Sequence, residues 1–318
     1  MRYTAMRHTA TLVCLVLLAS ITGCESTRWA WLKNDKGPKS PTPDGGTPGV
    51  AALVDYLNDN ARRIDTVRIG DLDLTCTQGV QSVGLTGHLV AQKPHSFRMG
   101  AKTLGNPQVD LGSNDQEFWY WISKANPPYQ VFCSYKDLNE GRVRQMPIPF
   151  QPEWIMEAMG LGPYGPADKY ALEQDGKSIR LVEKSTSPQG NPVKKVIVFE
   201  RRPVRAPQPQ VTDFLLLDDA TGKEICAAKI TEVQIDRATG AILPRRLELR
   251  YPAEKMRLAM KLDSASVNQQ LPATVFARQT MAGVASFNLA TMRVDNSPPA
   301  QAFSGADSRV KAVQGFGQ

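Results

Sequence analysis

Beyond residue 23 the side chains able to do chemistry are few: Cys24, Cys76, Cys133 and Cys226, His88 and His95, and scattered carboxylates. A catalytic zinc site needs three protein ligands and a structural one four. His88 and His95 stand seven residues apart around Pro94, with no carboxylate or cysteine cluster beside them. No Gly-x-Ser-x-Gly elbow, His-Glu-x-x-His or Cys-x-x-Cys occurs. Gly176-Lys177-Ser178 copies the end of a phosphate-cradling loop, but Ala171 stands where its first glycine belongs, and a hairpin turn explains it better. Asp218, Asp219 and Asp236 sit in turn sequences that already account for them. These absences predict a protein that is not an enzyme and carries no metal or other cofactor.

Cys24 has a different chemistry. Arg2 and Arg7 precede an apolar run, Leu12 to Ile21, that is too short to span a bilayer and reads as a signal-peptide core. It ends in Ile21-Thr22-Gly23-Cys24, which resembles the bacterial lipobox. That resemblance implies diacylglycerol transfer to the Cys24 thiol, cleavage after Gly23 and acylation of the new amino terminus. An ordinary secretory signal with a cysteine near its cleavage site is the alternative. Several acyl chains on one residue suffice for stable anchoring. Trp29 and Trp31 follow closely, where they could sit at the membrane interface or pack on the domain. Of the three remaining cysteines at most two can pair; Cys76 and Cys133 could do so in an exported protein, or stay as buried thiols.

The elements that must position such a chain follow from its pattern. Its 318 residues are 42% hydrophobic and 22% charged, which excludes a disordered chain. The net charge of +7 falls to about +5 without Arg2 and Arg7, and no basic stripe with interleaved aromatics exists, so nucleic acid is not an expected partner. A Pro/Gly/Ser/Thr-rich stretch through residue 49 predicts a flexible tether. From an N-cap at Thr47-Pro48, Leu53, Val54, Leu57, Ala61 and Ile64 share one face of a helix of about 15 residues, opposite Asp55, Asn58, Asn60 and Arg62.

Short strands of alternating polarity follow between turn signals, with a bulge expected near Gly70-Asp71. Phe118 and Tyr120 point to one face and Trp119 and Trp121 to the other, so one face shows tryptophan to a partner, a covering element or a ligand, or the strand is a central one covered on both sides. Pro152 opens a second short helix that Gly160 and Gly162 stop. Asp218-Asp219-Ala220-Thr221-Gly222 and Asp236-Arg237-Ala238-Thr239-Gly240 both predict hairpin loops with glycine in the left-handed position. The domain plan is a signal peptide (1–23), a lipidated cysteine and tether (24–49), one mainly β domain (50–293) and a mobile C-terminal tail (294–318).

This layout is similar to the lipoprotein-carrier family of diderm bacteria (LolA/LolB-like), and especially to lipid-anchored members of the planctomycete type. The resemblance rests on Leu53-Val54-Asp55-Tyr56-Leu57-Asn58, on Gly112 through Trp121, and on Asp236 to Gly240 with Pro244 to Tyr251. It implies a curved antiparallel sheet forming an incomplete β-barrel, with helices covering the concave face. That face would receive acyl chains of lipids or lipoproteins, with Leu53, Leu57 and Trp154 on the lid. Leu85, Phe97, Met99, Leu247, Leu249, Leu258 and Met260 would line the opposite wall, or all ten would be filled core. A receptor of this family is itself membrane-anchored and delivers lipoproteins through an exposed apolar loop, for which Met146-Pro147-Ile148-Pro149-Phe150 is the candidate. The expected location is therefore the cell envelope, on the outer membrane facing the periplasm.

Overall fold

The computed structural model describes residues 38–41, 46–125, 127–143, 146 and 152–295. Cys24, Trp29, Trp31 and most of the 146–150 loop lie outside them.

Helix α1 spans Val50–Arg62, and its Leu53, Val54, Leu57 and Ala61 are buried at the predicted helical spacing. It starts later than Thr47: Gly49 takes the N-cap position, and the first turn is closed by the Leu53 N–H donating to the Gly49 carbonyl at 3.3 Å. Asn60 does not face solvent as its polarity implied. It is only 8% exposed, because its Nδ2 donates to the Ile242 carbonyl at 2.9 Å and its Oδ1 accepts from the Ile242 N–H at 2.7 Å. A side-chain amide here stands in for a strand neighbour, satisfying backbone groups that burial would otherwise leave costly.

Thirteen strands in two meanders build the sheet. The first comprises β1 (Thr66–Gln78), β2 (Gln81–Gln92), β3 (Ser96–Thr103), β4 (Asn106–Ser113), β5 (Glu117–Ile122) and β6 (Gln130–Ser134). The second comprises β7 (Tyr170–Gln174), β8 (Ser178–Thr186), β9 (Pro192–Glu200), β10 (Val211–Asp218), β11 (Glu224–Ile235), β12 (Ile242–Tyr251) and β13 (Met256–Val267). Antiparallel pairing of β1 with β13 joins the two into one curved sheet that does not close, with β7 at one edge. The β1–β2 register shifts between Ile69 and Leu72, at the predicted bulge. Both Asp-x-x-Thr-Gly turns form as predicted: Asp218 and Asp236 each accept from the N–H and hydroxyl of the threonine three residues on, and Gly222 and Gly240 have φ of 68° and 73°.

Between the meanders run α2 (Tyr135–Asn139) and α3 (Pro152–Ala158). The first was not anticipated; Ser134 caps it by accepting from the Asp137 N–H at 3.0 Å. Gly160, at φ 87°, follows α3 as expected, and a Cβ there would meet Asn60 Nδ2 at 2.7 Å.

The segment after β13 belongs to the folded part, as its place before residue 294 implies. It crosses the outer face of β3–β5 and adds β14 (Ser286–Asn288), parallel to β6, and β15 (Arg293–Val294). It lies over the outward Trp119 of β5, while Trp121 Nε1 donates to the Pro128 carbonyl at 3.2 Å. Trp119 Nε1 donates to Asp110 at 3.1 Å, Arg98 pairs with Asp110 at 3.0 Å, and the same guanidinium donates to the Val275 and Ala277 carbonyls. The expected tail thus begins inside β15, and residues 296–318 lie outside the described part.

Trp119 fits only because residue 112 is glycine: a Cβ there would lie 2.2 Å from the indole ring. Gly112→Ala should therefore cost about 1–3 kcal/mol through overpacking. For a domain of this size that corresponds to a fall of roughly 2–12 °C in Tm. Gly84→Ala, where a Cβ meets nothing within 4 Å, is the control expected to melt like the parent in the same calorimetric scan.

Candidate binding cavity

Alternation on β-strands sends every second side chain to the inner face, and antiparallel register aligns those side chains in rows across the sheet. One row is Leu247–Met260–Leu74–Leu85, the next is Leu249–Leu258–Cys76–Val83, and a third is Leu89–Met99–Leu111–Tyr120. Over these rows, an apolar recess of about 70 Å³ opens between β1–β5 on one side and β12–β13 on the other, with Ile155 of α3 against it. Leu89, Phe97, Met99, Leu249 and Met260 form its buried floor. Cys76, Val109, Ile122, Met256 and Leu258, all half-buried, form its mouth.

No charged side chain lines this recess. It exceeds the roughly 10–15 Å³ that one water needs, but is about half the roughly 150 Å³ that accommodates benzene in an engineered apolar cavity. Hydrocarbon of any length would have to spread the mouth. Met256 and Leu258 there can move, methionine being the most adaptable apolar side chain.

The ten residues expected to form one cavity are distributed over several places. Phe97, Met99, Leu249, Leu258 and Met260 line the apolar recess. Leu57 lines a separate recess of about 50 Å³ beneath α1. Trp154 lines a third, of about 260 Å³, that carries charged groups. Leu53, Leu85 and Leu247 are buried in the core. The lining residues that sequence reading missed, such as Leu74, Leu111, Tyr251 and Met256, alternate with or extend runs already recognised, and Ile155 sits next to Trp154.

Two side chains at this end of the sheet are fully exposed despite their apolarity. Val80, 102% exposed, tips the β1–β2 hairpin, and Leu104, 97% exposed, tips the β3–β4 hairpin. The tips are tied to the mouth region. The Gly79 N–H donates to the Lys255 carbonyl in the β12–β13 turn at 3.1 Å, and Thr103 Oγ1 donates to the Gly84 carbonyl at 3.0 Å. Lys102, Lys255 and Arg257 are exposed around them.

The polar candidates end elsewhere. His95 Nδ1 lies 3.5 Å from Glu153, whose carboxylate also accepts from the Tyr135 hydroxyl. Burial, with Arg98 nearby, lowers the His88 pKa, which favours its neutral form. No group of three or more His, Cys, Asp or Glu able to share a metal ion occurs among the described residues. Cys76, Cys133 and Cys226 are free thiols. Burial raises the pKa of Cys76 and pushes Cys133 and Cys226 up to about 12, so none is a reactive thiolate at neutral pH.

No protein-family model and no curated protein matches the chain. Among solved structures it is similar to a LolA superfamily protein from Nitrosomonas europaea, at 9% identity and TM-score 0.42 over 71% of this chain and 97% of that one. It is also similar to a domain from Vibrio parahaemolyticus provisionally assigned to outer membrane lipoprotein sorting, at 8% identity and TM-score 0.45 over 70% and 95%. A DUF1329 family protein from Desulfovibrio piger follows at 8% identity and TM-score 0.34 over 71% and 94%. All three are distant resemblances.

Proposed function

We propose that this chain is a non-enzymatic envelope protein, anchored through Cys24, that takes an acyl chain of a lipid or lipoprotein into the apolar recess between β1–β5 and β12–β13. The observation that carries this reading is a charge-free recess whose mouth lies at the same end of the sheet as two fully exposed apolar hairpin tips. Such a recess gives hydrocarbon a place to leave water. Val80 and Leu104 would touch the bilayer while Lys102, Lys255 and Arg257 face its anionic surface. The tether would let the folded part reach the outer membrane from its periplasmic side.

A second reading is favoured by the small volume of the recess: an interaction protein of the envelope with a filled core and no ligand. Titration of the mature chain with a fluorescent fatty acid separates the two. Saturable binding near one probe per chain, displaced by unlabelled fatty acid, is expected; a linear, non-displaceable signal would establish the filled core. Anchoring has its own check. Cys24→Ser should move the protein from the membrane fraction to the soluble one, and unchanged fractionation would remove the anchor from the proposal.

A further inference from the structure

A larger recess lies on the other side of α3, about 260 Å³ in volume, and its chemistry is different. Register fixes its charged groups. Tyr170 of β7 pairs with Glu183 of β8, and Glu183 pairs with Lys195 of β9, so the three side chains form one row on the inner face. Glu157 reaches down from α3 and accepts from Lys195 Nζ at 3.3 Å. Glu183 forms no ion pair among the described residues. The recess thus holds two half-buried carboxylates beside Lys195, which among the described residues pairs with Glu157 alone.

The surroundings accentuate that imbalance. Trp154 and Tyr164 are buried in the wall, and Tyr170 closes the rim, its hydroxyl accepting from the Gly165 N–H at 3.2 Å. Lys169, exposed, stands at the entrance with its stem across Gly165, where a Cβ would meet its Cδ at 2.9 Å. Aromatic faces and carboxylates both attract a cation, and a partly desolvated site strengthens the attraction.

We propose that this recess binds a primary ammonium group between Glu183 and Glu157, carried on a small zwitterion whose anionic end meets Lys169, the chemistry of ethanolamine phosphate. The ammonium donates to the carboxylates and lies against the aromatic wall. The volume exceeds the roughly 150 Å³ that holds benzene and approaches the roughly 300 Å³ at which ligand pockets begin, which suits a ligand of this size. The chemistry has two sources, the free zwitterion and the headgroup of an ethanolamine phospholipid. The site is separate from the apolar recess and stands or falls independently of it.

Calorimetric titration of the mature chain tests this, using ethanolamine phosphate, ethanolamine and inorganic phosphate as probes. Ethanolamine phosphate should bind in the millimolar range or tighter, ethanolamine more weakly, and inorganic phosphate not at all. Glu183→Gln should weaken ethanolamine phosphate at least about tenfold, the loss of one charge-assisted hydrogen bond, with an unchanged thermal midpoint. Lys169→Ala should weaken ethanolamine phosphate but leave ethanolamine as it was. Stronger retention on vesicles of ethanolamine phospholipid than on choline phospholipid would support the headgroup; binding of the free zwitterion with no vesicle preference would support the soluble source. Absence of binding, equal binding of inorganic phosphate, or an unchanged affinity in Glu183→Gln would each overturn the assignment.

Discussion

Leu258→Trp is expected to abolish uptake of an acyl chain while leaving the fold intact. Leu258 is half-buried at the mouth of the apolar recess, level with Leu249 on β12 and Cys76 on β1. An indole in that row would occupy the space through which hydrocarbon enters. Overpacking a sealed interior costs about 1–3 kcal/mol, and a position open on one side should stay at or below the lower end. Fatty-acid affinity should therefore fall at least tenfold while Tm moves by no more than about 4 °C. Leu53→Ala gives the opposite signature. Leu53, on the inner side of α1, is fully buried and does not line the recess, so its truncation should cost about 2–5 kcal/mol and leave binding per folded molecule unchanged. Parallel loss of binding and stability in both variants would identify the recess as ordinary core.

Arg278→Met should be among the most destabilising single changes in the chain. The Arg278 and Glu117 side chains are 2% and 5% exposed, with Nε 3.1 Å from Oε1, and the guanidinium lies 3.9 Å over the Phe132 ring. Removing it leaves the Glu117 carboxylate buried without that cation, which costs about 3–5 kcal/mol. The corresponding fall in Tm is roughly 6–20 °C. Because Arg278 also holds the C-terminal segment over β5, Trp119 should become wetter and its emission shift to the red. Adding Glu117→Gln should recover much of the loss, since a neutral amide is far cheaper to bury than an ion. A melt indistinguishable from the parent would mean that the pair contributes nothing.

The difference between these two sites is also the difference between what the sequence pattern reveals and what it hides. Strand alternation, the bulge at Gly70-Asp71 and the two Asp-x-x-Thr-Gly turns are local, set by side chains within a few residues of the backbone they control. The C-terminal segment is tied down by Arg98, Asn114, Gln130 and Arg278, whose partners lie some 150–180 residues away, mostly backbone carbonyls. Its own sequence mixes polar, small and apolar residues with neither a helical nor a strand period. Asn60 is the same case in miniature, a polar side chain buried because a distant strand needs it. The recess was half legible. Alternation named Met99, Leu249 and Leu258 as inward, but whether an inward residue meets another side chain or a space depends on how the sheet curves, and Leu85 and Leu247 meet side chains.

Native mass spectrometry of the mature chain, purified from membranes and desalted gently after incubation with excess phospholipid, tests acyl-chain binding most directly. One bound lipid per chain is expected, and its loss in Leu258→Trp. A clean unliganded mass for the parent, or equal retention by the variant, would contradict it.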